Sequence, residues 1–317
     1  MRTITALFVG LGSIGTRHLK NLANLCADRG WTLQADALRS DLTRPLRPGA
    51  AELLHAQYTD LAAAPAHYDM VFITNPTSLH AEALRQVKGR GEALFIEKPI
   101  FSAEQTGLAL DELLPAGQKA YVAAPMRWCG AMLALKDRLP ALHPYCARVI
   151  CSSYLPDWRP GVDYRTVYSA RKALGGGVTI DLIHEWDYLV ELFGVPEKLY
   201  NFKGTYSELE IDSDDLSVYI AKYPTLLAEV HLDYFGRGYR RSIELFCRDG
   251  SYLADFGKGT LTLPDGTVQH YEEDVNRRYE REMEYFVDYA LDGSGESCNP
   301  PALALKVLKL TLGENVQ

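Results

Sequence analysis

No run of about 18 or more apolar residues occurs in the chain, which excludes an ordinary membrane-spanning helix and makes a membrane partner unexpected. An excess of positive charge is also missing. The 33 Lys and Arg face 41 Asp and Glu, for a net charge of −8. Nucleic-acid binders are usually basic, so no nucleic-acid partner is expected, whereas an anionic small molecule needs only a local basic pocket. The six cysteines, Cys26, Cys129, Cys146, Cys151, Cys247 and Cys298, form no Cys-x-x-Cys pair and no Cys/His cluster with zinc spacing. They are read as reduced and structural, with no metal site. Internal repeats and low-complexity segments are absent. Met1-Arg2-Thr3-Ile4 leads straight into a strand pattern, without the apolar stretch and small-residue cleavage site of a signal peptide. The expected compartment is the cytoplasm.

The 317 residues are 47% hydrophobic and 23% charged, near the globular average. The length suits two domains. Up to residue 123, short apolar runs alternate with helical patterns. Ile4–Val9, Leu33–Leu38, Met70–Ile73, Ala93–Ile96 and Ala120–Ala124 read as buried strands. Ser13–Arg29 and the stretches 78–88 and 103–114 read as helices. This pattern predicts an α/β domain, a doubly wound parallel Rossmann sheet. From residue 124 to 317 an α+β domain is expected, a largely antiparallel sheet with flanking helices. Its strand candidates are Arg148–Tyr154, Leu216–Lys222, Leu226–Asp233, Ser242–Cys247, Ser251–Phe256 and Thr260–Leu263. Turn signals such as Arg248-Asp249-Gly250 and Pro264-Asp265-Gly266 separate them. Helices are expected over Val178–Phe193, Asn276–Leu291 and after Pro300-Pro301. This domain is expected to bind substrate, and an uncovered sheet face would support a homodimer or homotetramer.

Gly10-Leu11-Gly12-Ser13-Ile14-Gly15 is a G-x-G-x-x-G between a strand and a helix pattern, the context of a dinucleotide fingerprint. Gly10 permits the tight turn, Gly12 lets backbone approach a pyrophosphate, and Gly15 lets helix pack on strand. The helix N-terminus offers free N–H groups to phosphate. The second strand ends in Leu38-Arg39-Ser40, without the carboxylate that marks NAD. Arg39 and Ser40 suit a 2′-phosphate, so NADP is expected over NAD. A shifted register would instead give the ribose to Asp36 or Asp41. Thr74-Asn75-Pro76 closes another strand and is either a contact for the nicotinamide half or an ordinary turn.

Glu97-Lys98-Pro99 ends the strand from Ala93, at the edge where ligands of such sheets bind. The cofactor-binding set is thus Gly10, Gly12, Ser13, Ile14, Gly15, Arg39, Ser40, Thr74, Asn75, Pro76, His80, Glu97 and Lys98. Gly175-Gly176-Gly177 precedes a helix on which Leu182, Trp186, Leu189 and Phe193 form an apolar stripe. Asp181, His184, Glu185 and Tyr188 form a polar one. The glycines would let backbone approach a ligand, and His184 is either a general acid/base or part of an exposed charged face. Residues 155–174 form a long irregular stretch, which in a compact domain is functional or disordered, and its aromatics argue against disorder. Here Trp158 would stack on a sugar face, and Arg159 and Arg165 would pair with carboxylate or phosphate. Tyr164 joins this candidate substrate set with Lys98, Asp181 and His184, and Arg127 is a further candidate. The arginines either meet an anionic substrate, such as a sugar acid or nucleotide-linked sugar, or bridge a loop or a subunit contact.

Gly10–Gly15, Glu97-Lys98-Pro99 and the Gly-Gly-Gly…Asp181-x-x-His184 segment, in this order, resemble the Gfo/Idh/MocA oxidoreductases over nearly the whole chain. The resemblance implies hydride transfer between nicotinamide and a hydroxyl or keto carbon of a sugar-like substrate. It makes Lys98 and His184 the main catalytic residues with Asp181 beside them. His184 would move the proton of the reacting oxygen, and Lys98 would polarise that oxygen. Family members often carry glycine where Ile183 stands. Two other functions fit such a fold: an NAD-dependent glycosidase with no net redox change, and a non-catalytic cofactor sensor.

Overall fold

The computed structural model describes residues 2–292 and 295–316. The chain forms two compact units, one holding the chain up to Ala123 together with Tyr279–Leu305, the other Ala124–Arg278 together with the segment from Lys306.

The first unit contains β1 (Thr3–Val9), α1 (Ser13–Asp28), β2 (Thr32–Leu38), β3 (Leu54–Tyr58), β4 (Tyr68–Ile73), α2 (His80–Gln86), β5 (Gly91–Ile96), α3 (Leu110–Leu113) and β6 (Lys119–Val122). The six strands run parallel in the order β3-β2-β1-β4-β5-β6, the expected doubly wound sheet. Phe8, Phe72, Phe95 and Tyr121 stand in register on adjacent strands. Their ring centroids lie 4.5, 5.3 and 5.5 Å apart, an aromatic ladder across the sheet. β3 escaped the sequence reading because its Leu-His-Ala-Gln-Tyr has no buried residue at all.

The second unit contains α4 (Gly130–Arg138), β7 (Cys146–Tyr154), α5 (Val178–Asp181), α6 (His184–Phe193), β8 (Lys198–Gly204), β9 (Leu216–Lys222), β10 (Leu227–Asp233), β11 (Phe235–Cys247), β12 (Gly250–Asp255), β13 (Thr260–Thr262) and β14 (Val268–His270). The sheet order is β14-β13-β12-β11-β7-β10-β9-β8. All neighbours pair antiparallel except β7 with β10. β11 begins well before Ser242, and a register shift between Phe235 and Arg240 marks a bulge in its glycine- and arginine-rich start.

Two helices close the chain, α7 (Asn276–Leu291) and α8 (Pro301–Thr311). The division differs from a single cut after residue 123, because most of α7 belongs to the first unit. The reason is the aromatic ladder. Phe286 of α7 sets its ring 5.4 Å from Phe72 and 5.1 Å from Phe95 in edge contacts, and Tyr121 donates to the Glu282 carboxylate at 2.8 Å. Without α7 this sheet face would leave large apolar rings in water. The helix expected over Val178–Phe193 is two pieces, since Leu182 and Ile183 form a turn between α5 and α6.

Candidate active site

In the first unit the strand order reverses between β1 and β4, the switch point where sheets of this type bind ligands. Val9, Ile73 and Ile96 lie level with one another, so Gly10, Thr74 and Glu97 leave neighbouring strands side by side. Gly10 has φ +85°, and a Cβ there would fall 2.7 Å from the Asn75 Cα. A Cβ on Gly15 would fall 2.7 Å from Thr74 Oγ1 and 2.8 Å from the Gly10 carbonyl oxygen, so only glycine brings α1 this close to the strand ends. Thr74 Oγ1 donates to that same carbonyl at 2.5 Å. Gly12 is different. It is the N-cap of α1 with no side-chain cap, and a Cβ there would meet nothing within 4 Å. Open space thus lies before a helix end whose first N–H groups, at Ser13 and Ile14, have no partner within the helix. That cradle fits a pyrophosphate.

Two residues assigned to the cofactor are engaged within the protein. His80 is fully buried, with Nδ1 at 3.1 Å from the Ile100 carbonyl and Nε2 at 3.0 Å from the Asn75 carbonyl. It ties the 74–76 turn to the segment after Pro99, and burial holds its pKa below the ordinary value against those hydrogen bonds. Glu97 is buried with Oε1 at 2.6 Å from His18 Nε2. Burial raises its pKa, but the His18 bond and the neighbouring charges outweigh this and hold the carboxyl below the usual range. Lys98 is partly exposed and joined to Pro99 by a cis peptide bond.

At the end of β2, Asp36 is buried and receives the Tyr68 hydroxyl at 2.8 Å. Its other oxygen lies 3.2 Å from His55 Nδ1. Asp41 accepts from the Thr43 N–H at 2.8 Å and its hydroxyl at 2.7 Å. Arg39 donates to Gln57 Oε1 at 2.8 Å and to the Arg44 carbonyl at 2.5 Å. It lines a cavity of about 430 Å³ with Arg44 and Arg47. Ser40 is exposed beside it.

In the second unit Gly176 and Gly177 of the triple glycine let the chain's own atoms come close. A Cβ on Gly176 would fall 2.0 Å from the Tyr168 carbonyl oxygen, and one on Gly177 2.4 Å from Asp214 Oδ1. Asp214 accepts from the Thr179 N–H at 2.9 Å and anchors α5. Asp181 receives two phenols, Tyr168 Oη at 2.6 Å and Tyr234 Oη at 2.6 Å. Burial and the Asp181 charge push both phenol pKa values upward, so both remain protonated donors. The alternative of an exposed charged helix face fails for Glu185 and Tyr188. Glu185 is fully buried and takes Arg241 in two bonds of 2.7 and 3.0 Å, and Tyr188 is buried too. His184 opens α6 half-buried and engaged in contacts of its own. Tyr234, Arg241 and His18 were not found by sequence reasoning. For His18 a signal existed: it lies three residues after Gly15, on the same face of the fingerprint helix.

The proposed substrate residues divide. Arg127 is only 3% exposed and is held by Asp187 at 2.9 and 2.7 Å and by Glu191 at 2.6 Å. It is a buried cation paired with carboxylates. Arg165 is also committed, to Asp163 at 2.9 Å and Glu210 at 3.0 Å, and the Tyr164 hydroxyl accepts the Glu210 N–H at 3.2 Å. These contacts fold the loop on itself. Trp158 donates to Ser153 Oγ at 3.0 Å, with its ring edge-on to Tyr234 at 5.2 Å. Arg159 is exposed and lies 5.9 Å over the Tyr168 ring. Trp158, Arg159, Tyr168 and Asp181 are thereby linked through direct contacts.

All six cysteines are free, and burial pushes the Cys26 thiol up to about 11, the opposite of nucleophile activation. Among the described residues no group of His, Cys, Asp and Glu is placed to hold a metal ion, and no helix is long and apolar enough to cross a membrane.

Residues 4–123 match the Gfo/Idh/MocA model described as an oxidoreductase family with an NAD-binding Rossmann fold. An uncharacterized oxidoreductase of Bacillus subtilis (strain 168) is 24% identical over 272 residues, 82% of this chain and 76% of that protein. Inositol 2-dehydrogenase of Rhizobium meliloti (strain 1021) is 26% identical over 200 residues, 61% of this chain and 56% of that protein. The crystal structure of an oxidoreductase from Agrobacterium radiobacter in complex with NAD+, L-tartaric acid and magnesium superposes with a TM-score of 0.77 at 16% identity. It covers 98% of this chain and 95% of that one, a likeness of fold. With the fingerprint, the strand order and this match in place, residues 4–123 carry the NAD-binding Rossmann fold of the Gfo/Idh/MocA oxidoreductase family.

Proposed function

We propose that this protein is a cytoplasmic, NADP-preferring dehydrogenase that oxidises or reduces a single carbon of a sugar, sugar acid or nucleotide-linked sugar. The observation that carries the reading is the alignment of Gly10, Thr74 and Glu97-Lys98 at adjacent strand ends of the switch point. The bound nicotinamide would exchange the hydride of the reacting carbon. Lys98 would hold and polarise the oxygen on that carbon, and His184 would take or return its proton. Asp181, with both oxygens held by Tyr168 and Tyr234, orients the polar surroundings of His184 rather than moving a proton itself. The second unit would supply the substrate contacts, Trp158 and Arg159 foremost. Inositol for one relative and a bound hydroxy acid for one neighbour agree with a polyhydroxylated substrate, carrying carboxylate in the second case. Arg39 and Ser40 support the 2′-phosphate, with Arg39 already braced by Gln57.

Exposed Phe202 and Ile220, on adjacent strands β8 and β9, favour a homodimer or homotetramer through this sheet face.

The test is nicotinamide absorbance at 340 nm with NADP+ and NAD+ against inositols, aldoses, sugar acids, nucleotide-linked sugars and tartrate. Turnover of at least one, faster with NADP+, is expected. In Lys98→Ala and His184→Ala that turnover should fall about 100-fold or more, with cofactor affinity kept. No turnover across the panel, or near-normal turnover in both variants, would overturn the proposal.

A further inference from the structure

His18 lies on the buried face of α1, the helix whose N-terminus forms the phosphate cradle. Its side chain is fully buried, packed 4.6 Å from the Phe95 ring and 6.1 Å from the Tyr279 ring. It reaches away from its own helix to Glu97, at the end of β5, and closes a 2.6 Å contact between Nε2 and Oε1. The other Glu97 oxygen accepts the Lys98 N–H at 3.1 Å, and the Glu97 N–H donates to the Ile73 carbonyl at 2.9 Å. Every polar group of Glu97 that faces the strand end is therefore engaged. The carboxylate can only accept, so the proton of the contact sits on His18 Nε2. The other ring nitrogen, Nδ1, is buried and has no hydrogen-bond partner among the described residues. A buried imidazole with one nitrogen unsatisfied is costly and would not be expected for packing alone, since an apolar side chain would fill the same aromatic pocket without that cost.

The charge-assisted bond is the feature an apolar side chain cannot supply. It joins the helix of the cradle to the peptide from which Lys98 projects. We infer that His18 is a positioning residue: by holding Glu97 it fixes the Lys98 backbone relative to the helix end that would carry the cofactor phosphates. This rests on the reading of Lys98 as a catalytic group only for its consequence in turnover, not for the coupling itself. His18 touches neither substrate nor reacting atoms. It acts through Glu97, which in turn acts through the Lys98 N–H and through its charge beside the Lys98 ammonium.

The coupling is measured without a substrate. The full chain, saturated with NADPH or NADH, whichever binds, or alone if neither does, is pulse-labelled with acetic anhydride, and acetylation at Lys98 is read by mass spectrometry. Exposed Lys258 is the internal reference. In His18→Leu the Lys98 rate should rise about threefold or more relative to Lys258, the scale of losing one charge-assisted bond that restrains a partly exposed side chain. His18→Gln, which can still donate to Glu97, should stay within about twofold of the wild type. If His18→Leu fails to fold, Glu97→Gln makes the same test from the other side of the contact, with the same rise expected. A wild-type Lys98 rate in His18→Leu or, failing its folding, in Glu97→Gln would overturn the inference. So would a His18→Gln rate as high as that of His18→Leu. Turnover in Lys98→Ala is read separately. If labelling shifts as expected but Lys98→Ala keeps full turnover, the coupling stands and the catalytic assignment of Lys98 falls.

Discussion

Tyr168 and Asp181 share a hydrogen bond of 2.6 Å, and the second oxygen of the same carboxylate takes an equally short one from Tyr234. Both donors are phenols whose protons are committed to Asp181. The carboxylate is thereby fixed three residues before His184. Tyr234→Phe, at a fully buried position, leaves Asp181 one donor short. It should lower unfolding stability by about 1–3 kcal/mol in urea titrations. Tyr168→Phe, with the ring partly in solvent, should cost less stability.

Gly15 admits no side chain. Its Cβ would sit 2.7 Å from Thr74 Oγ1 and 2.8 Å from the Gly10 carbonyl oxygen, and the second of these is backbone. Gly15→Ala should push α1 outward and cost about 1–3 kcal/mol, seen as a lower urea midpoint. It should also weaken NADPH binding in fluorescence titration, because the cradle moves with the helix. Gly12→Ala has open space and should hold its stability while losing cofactor affinity.

Arg127 and Arg165 looked alike in the sequence, and their environments separate them. Arg127 is locked between Asp187 and Glu191 in the interior. Arg127→Ala leaves Asp187 buried without its cation, while Glu191 keeps Lys136, and should cost about 3–5 kcal/mol. Arg165 meets Asp163 and Glu210 in solvent, so Arg165→Ala should leave the urea midpoint unchanged.

These contrasts mark what the sequence could and could not carry. The parallel sheet was legible because Phe8, Phe72, Phe95 and their neighbours form uninterrupted apolar runs, and because Gly10–Gly15 punctuates strand and helix at a diagnostic spacing. The break between α5 and α6 was not legible. A helical period of apolar residues from Val178 to Phe193 continues across Leu182 and Ile183, and only the tertiary anchors at Asp214, Tyr234 and Arg241 distinguish the two pieces. Glu185 read as part of a helix face and Arg127 as a substrate contact because no local pattern announces a buried ion pair whose partners lie 56 to 64 residues apart. The homes of His80 and Glu97 were hidden too: His80 is satisfied by the loop carbonyls of Asn75 and Ile100, and Glu97 by His18 of α1.

The Glu97 carboxyl sets a pH dependence. Its pKa in the folded chain lies below the ordinary carboxylate value, because the His18 bond and the nearby positive charges outweigh the opposing effect of burial. A carboxyl with a depressed folded pKa contributes stability that is fully present above its unfolded value, about 4.3, and is lost as pH falls through the folded value. Glu97→Gln should therefore be less stable than the wild type at pH 7. The gap should narrow as pH drops below about 4, measured as thermal midpoints across pH. A gap that stays constant down to pH 3 would contradict this assignment.

The central claim is that the first unit holds a nicotinamide dinucleotide with its 2′-phosphate beside Arg39 and Ser40. It is tested most directly by titrating the purified protein with NADPH and with NADH while following nicotinamide fluorescence. Saturable binding of both, with NADPH tighter by about tenfold, is predicted from one charge-assisted phosphate contact. Binding of neither would contradict the account at its root, and tighter binding of NADH would remove the role given to Arg39 and Ser40.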